Sequence, residues 1–108
     1  MNIQQIANVK AAADTATETG HMNSRETLSQ IGNMNVAAIS GGRTYTSDNA
    51  VIMPVSSGYH VVVSLAGNDT YTVRRVFVRG GKASVKGEWE GIYCDEVGEV
   101  AYTASCYR

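Results

Sequence analysis

A chain of 108 residues, 44% hydrophobic and 18% charged, is sized for one domain with a modest core, and this composition excludes a disordered chain. No apolar run reaches membrane-spanning length, so no membrane partner is expected. The formal net charge of −1 says nothing about partners by itself; its distribution along the chain does.

Residues 1–22 differ from the remainder. In "IQQIANVKAAADTATE", Ile3, Ile6, Val9 and Ala13 fall near helical spacing, but the apolar stripe is thin and an isolated helix of this length is marginal in water. "TETGHM" breaks the pattern, and His21-Met22 matches a common cloning junction. The reading is a flexible or partly helical leader, vector-derived or docking on a partner, followed by a single α+β domain over residues 23–108.

"NSRETLSQIG" opens with Asn23 and carries Glu26 three residues on, the arrangement of a capping box. Leu28 and Ile31 share a face, and Gly32 suits the stop. "MNVAAI" reads equally as a helical turn or a buried strand, and Ser40-Gly41-Gly42 ends it. "RTYTSDN" reads as loop.

Strands then dominate. "AVIMPV" is a strand whose Pro54 sets it at an edge or at its own end. Turns at Ser56-Ser57-Gly58, Gly67-Asn68-Asp69 and Gly80-Gly81 separate "YHVVVSLA", "TYTVRRVFVR" and "KASVKGEWEGIY". The spacing predicts a four-stranded antiparallel meander. Period-two alternation sets Val85 and Trp89 on one side of the last strand and Lys86, Glu88 and Glu90 on the other, so one face of the sheet is expected buried and one solvated. In "CDEVGEVAYTASCYR", Tyr93, Val97, Val100, Ala101 and Ala104 share a helical face, and Gly98 interrupts it. An N-terminal and a C-terminal helix are expected on one face of the sheet.

Arg74 to Lys86 holds five cations and no acid, and Glu88 to Glu99 holds five acids and no cation. Folding either separates these blocks or cancels them. Arg75 and Arg79 share a face, Arg74 lies opposite unless a bulge intervenes, and one of the doubled arginines points toward the helices. A buried arginine there needs a carboxylate, which Asp95, Glu96 or Glu99 would supply.

The run "YHVVVSLAGNDTYTVRRVFVRGG" with "VKGEWEGIYCDEV" resembles a family of small accessory proteins of bacteriophages, prophages and plasmids. The likeness spans residues 24–100 and rests on the "NDTYTV" hairpin and the "GIY-D" segment. Residues 1–22 fall outside that pattern, and Arg74-Arg75 is more basic than the corresponding strand usually is. The resemblance implies a mobile-element origin and an accessory role in the cytoplasm of an infected cell; it implies no particular activity.

Other motifs have structural explanations. Gly67, Asn68 and Asp69 make a hairpin turn; two oxygens without a further carboxylate make a poor metal site. "SGGRT" lacks the ending of a phosphate-binding loop. His60 alternates with Val61, Val63 and Leu65, which places it on the solvent face, and nothing in the spacing pairs it with Cys94 or Cys106 for catalysis. The two cysteines are twelve residues apart and do not form a zinc site, so reduced thiols, no cofactor and no metal are expected. The expected function is a non-enzymatic binding protein acting on a host or phage macromolecule, a protein first of all. Its working surface would be the polar sheet face and basic hairpin end: Arg75, Arg79, Lys82 and Lys86 with Tyr71 and Phe77. Nucleic-acid binding by the same hairpin is the first alternative; self-association through sheet edges or the leader, as in an assembly component, is the second.

Overall fold

The computed structural model describes residues 3–16, 23–47, 49–66 and 70–106. Helices α1 (Ile3–Ala13), α2 (Ser24–Ile31) and α3 (Asn33–Ser40) precede strands β1 (Tyr45–Thr46), β2 (Ala50–Pro54), β3 (Tyr59–Leu65), β4 (Tyr71–Arg79) and β5 (Lys82–Ile92), and helix α4 (Val97–Cys106) follows. The five strands form one antiparallel sheet in chain order. The fold is therefore α+β on an antiparallel meander, with one strand more than the four expected. The extra strand is β1, two residues inside the segment that reads as loop; it pairs Tyr45 with Ile52 and Thr46 with Val51. It also takes β2 off the sheet edge, leaving Pro54 at the end of its strand.

Local chemistry accounts for the boundaries. The Asn23 side chain accepts a bond from the Glu26 backbone N–H at 3.1 Å, satisfying one free donor of α2's first turn. Gly32 closes α2 by donating to the Leu28 carbonyl and stands at the head of α3. "MNVAAI" is thus helical, and the single expected N-terminal helix is a pair. Gly80 and Gly81, with φ of 60° and 76°, supply the positive dihedrals of a two-residue hairpin and set Arg79 opposite Lys82.

Both faces of the sheet are covered. On one, Val51, Met53, Val61, Val63, Tyr71 and Val73 pack with Ile31, Val36, Ile39, Val97, Ala101 and Ala104 from α2, α3 and α4. Helices α2 and α4 share this face, with α3 beside them, whereas the expected packing had two helices in all and none on the other face. On the other, Ala50, Ile52, Val62, Val76 and Val78 pack against Ala12 and Ala16 at the C-terminal half of α1 and just beyond it. Over β2, β3 and β4 the expected solvated face is therefore buried beneath α1, whereas Lys86, Glu88 and Glu90 on β5 are exposed. The covered residues lie in continuous apolar runs, "AVIM" and "VVV", a pattern that goes with two-sided burial rather than alternation.

Strand β5 departs from simple alternation. Its register slips against β4 between the pairs Arg75↔Gly87 and Val76↔Val85, and again between Tyr71↔Ile92 and Val73↔Trp89. Each slip is an extra residue on β5. The first, at Lys86, puts Val85 and Trp89 on opposite faces, correcting the expectation that they share one. Trp89 packs partly against the α4 side, whereas Tyr93 is exposed in the connection to α4 rather than on its apolar face.

Residues 17–22 and 67–69, which hold the expected break after the leader and the Gly67-Asn68-Asp69 turn, lie outside the described residues.

Candidate functional site

The alternation of β4 divides its arginines. Tyr71, Val73, Arg75, Phe77 and Arg79 face α4, while Thr72, Arg74, Val76 and Val78 face α1. Arg75 is the arginine that points toward the α2–α4 side. Its partners are not the expected carboxylates: its Nη1 donates to the Ala104 and Ser105 carbonyls, both at 2.8 Å, and its guanidinium lies 4.1 Å from the centroid of the Tyr59 ring. The last carbonyls of a helix carry partial negative charge and lack intrahelical donors. The acids expected to pair with it sit at the opposite end of α4, which is why they cannot.

Arg74 is the more deeply buried of the two, at 5% exposure. Its Nε is 2.9 Å from an oxygen of Glu88, its cross-strand neighbour. At that ion pair the basic and acidic blocks meet in adjacent positions. It forms because β4 and β5 are antiparallel, so sequence distance across the hairpin becomes contact.

Elsewhere the blocks stay apart. Arg79 and Lys82 are exposed at the hairpin tip, and Lys86 is exposed at the bulge. None of the three has an ion pair among the described residues. Glu90, Asp95, Glu96 and Glu99 are exposed toward the other end of β5 and the start of α4. Eleven residues of strand put roughly 30 Å between these ends, several Debye lengths at physiological salt. The molecule is electrically polarised along β5.

Beside the cationic tip the same sheet face shows an aromatic pair. Tyr59 stands opposite Phe77 in the register, with ring centroids 4.9 Å apart and planes tilted by 53°. Both rings are half-buried. Of the expected surface residues, Phe77, Arg79 and Lys82 come together here. Arg75 adjoins them but is engaged by α4. Lys86 lies on the bulge, and Tyr71 does not belong to the patch: it is 5% exposed, in the core at the far end of β4, with its hydroxyl 3.4 Å from that of Thr27. Tyr59 was not among the expected residues. Its position directly after the Ser56-Ser57-Gly58 turn, facing the same way as Val61, is the sequence feature that locates it.

His60 is buried, at 5% exposure, not on a solvent face. Alternation does place it opposite Val61, but α1 covers that side. Its Nδ1 donates to the Gly58 carbonyl at 3.0 Å, and burial holds its pKa below the usual 6.5 although that bond opposes the shift. His60 lines a small cavity of about 50 Å3 with Val9, Arg43 and Pro54, whereas Cys94 lines a different one. The "SGGRT" loop is closed on itself: the Ser40 hydroxyl lies against the Val36 and Arg43 carbonyls, and Arg43 Nε donates to the Ser40 carbonyl at 3.3 Å. Among the described residues no helix is long and apolar enough to cross a membrane.

No protein-family model matches this chain, and neither does any curated protein or solved structure.

Proposed function

We propose that this chain is a non-enzymatic binding protein that uses the β4–β5 hairpin tip to engage an acidic surface on a macromolecular partner. The observation that supports this most directly is the juxtaposition of Arg79 and Lys82, exposed and opposed across the turn, beside the Tyr59–Phe77 pair. Like charges held opposite one another are unfavourable in a free protein; a partner carboxylate relieves the repulsion. Arginine and aromatic side chains are also the usual anchors of interfaces, since they bury large areas while directing hydrogen bonds. The partner is a host or phage protein in the bacterial cytoplasm, and the chain an accessory protein of a bacteriophage or other mobile element. That last element rests on the resemblance of residues 24–100 described above.

Nucleic acid is the second reading, favoured by the half-exposed rings of Tyr59 and Phe77 next to cations, an arrangement on which bases stack. One set of measurements separates the two. The full chain and its R79E/K82E variant are compared for partner capture from host extracts, and for anisotropy with random single- and double-stranded DNA and RNA at low and physiological salt. The expected result is a protein captured by the wild type and lost by the variant at unchanged thermal stability, because exposed substitutions of this kind shift stability by about 0.5 kcal/mol or less. Undiminished capture by the folded variant overturns the proposal. Oligonucleotide affinity that falls log-linearly with salt selects the second reading.

A further inference from the structure

A second concavity lies at the acidic end of the molecule, away from the hairpin tip. It has a volume of about 320 Å3, at the lower bound of small-molecule sites, roughly 300–1,000 Å3. One wall is α2, which contributes Glu26, Thr27 and Gln30 along with its cap residue Asn23; these recur at intervals of three, one and three residues, on one helical face. The opposite wall is Leu65 at the end of β3 and Tyr71 at the start of β4, and Cys94 stands between β5 and α4.

The chemistry of this lining is one-sided. Among the described residues that line it, the ionisable groups are a carboxylate, a phenol and a thiol, with no lysine, arginine or histidine. Glu26 is exposed and has no ion pair among the described residues. Its backbone N–H, not its carboxylate, serves the helix cap, so the side chain is not needed to start α2. The Thr27 and Tyr71 hydroxyls are buried and meet each other at 3.4 Å. Two hydroxyls carry two protons and four lone pairs, and one mutual bond uses one of each, so acceptor capacity exceeds donor capacity on a buried surface. Asp95 and Glu96, exposed and next in sequence to Cys94, add negative potential to this end of the molecule.

We infer that this cavity binds a small organic cation, an alkylammonium or alkylguanidinium. Its charged head meets the Glu26 carboxylate and the hydroxyl acceptors of Thr27 and Tyr71, and its methylenes lie on Leu65. An anion finds no compensating charge there. A neutral apolar ligand leaves the carboxylate and the remaining hydroxyl lone pairs without partners, at the cost of desolvating them.

The two exposed cysteines provide the assay, since Cys94 lines the cavity and Cys106, at the end of α4, does not. The full-length reduced protein is alkylated with iodoacetamide, an uncharged reagent, across a titration of agmatine, and each thiol is followed by peptide mass spectrometry. Sodium butyrate is the anionic counterpart. Agmatine is expected to slow alkylation of Cys94 saturably while Cys106 reacts at a constant rate; butyrate slows neither. Glu26→Gln, which keeps the backbone N–H of the cap, abolishes the protection. Equal slowing at both thiols, an unchanged Cys94 rate at the highest agmatine concentration, or full protection persisting in E26Q overturns the inference.

Discussion

Arg75 stacks on Tyr59 at 4.1 Å while donating two hydrogen bonds to the last carbonyls of α4, so one side chain ties the sheet to a helix terminus. Charge-assisted bonds are worth about 1.5–3 kcal/mol each, and stacking adds about 0.5–1 kcal/mol at a partly exposed site. Arg75→Gln is expected to lower stability by about 3.5 kcal/mol or more, a fall in Tm of well over 10 °C for a domain of this size, at roughly 4–8 °C per kcal/mol. Arg75→Lys restores only part of it, because an ammonium lacks the planar fork that stacks and donates together. Thermal melts of the three proteins check this; full recovery in the lysine variant would show that charge alone matters at this position.

Gly98 presents two opposed effects. In a free helix, Gly→Ala is favourable by about 1 kcal/mol. Here a Cβ would sit 2.4 Å from the Ile31 carbonyl oxygen and 2.7 Å from Asn35 Nδ2, and that amide already donates to the same carbonyl at 2.9 Å. Side-chain rotation can move the amide, but the carbonyl belongs to the backbone of α2. Overpacking costs about 1–3 kcal/mol and wins, so Gly98→Ala is expected to destabilise. Urea denaturation, giving the midpoint at unchanged slope, measures it.

The neutral, buried His60 couples stability to pH. Its folded pKa lies below the unfolded value of 6.5, so below that pH the unfolded chain binds the extra proton first. Stability contributed by His60 is complete above 6.5 and is lost as pH falls through the folded pKa. His60→Gln should flatten this part of the profile. The measurement is chemical denaturation between pH 7.5 and 5, in which the wild type loses more stability than the variant; parallel curves would mean that His60 accepts its proton equally well in both states.

Residues 1–16 are expected to be required for folding. Their removal uncovers Ala50, Ile52, Val62 and Val76, each fully buried, and burying one large aliphatic side chain contributes about 1.5–3 kcal/mol. Three such side chains approach the whole stability of a typical domain, about 5–15 kcal/mol. A chain beginning at Asn23 should bind a hydrophobic dye and lose its cooperative melt. A sharp transition near the full-length Tm would show that α1 adds little.

Much of this architecture is legible in the residues themselves. Asn23 with Glu26 announces α2, Gly41 closes α3, and Gly80-Gly81 fixes the β4–β5 hairpin, because caps and tight turns depend on a few local atoms. The role of α1 is not legible in the same way. Ala12 and Ala16 give a weak apolar stripe, yet alanines allow a helix to lie close on a sheet of Val and Ile side chains, and only the sheet makes that stripe useful. The site follows the same division. Arg79 and Lys82 are adjacent to a readable turn and sit where alternation sets them. Tyr71, an aromatic beside a basic run, looks like a surface element in the sequence, whereas in the fold it is buried against Thr27 of α2. The carbonyl partners of Arg75 come from a helix end some thirty residues away, a distance across which no local pattern speaks.

The two slips in β5 bear on how these molecules behave when crowded. The strand is eleven residues long and lies at the sheet's margin, where a row of unsatisfied amides and carbonyls normally invites another chain to add on. An extra residue at Lys86, and another between Trp89 and Ile92, break that row into short lengths with mismatched spacing. An incoming strand gains a few bonds and then falls out of step, with an ammonium group at the first break. The cationic tip can therefore remain exposed while the adjoining margin resists fibril-like stacking.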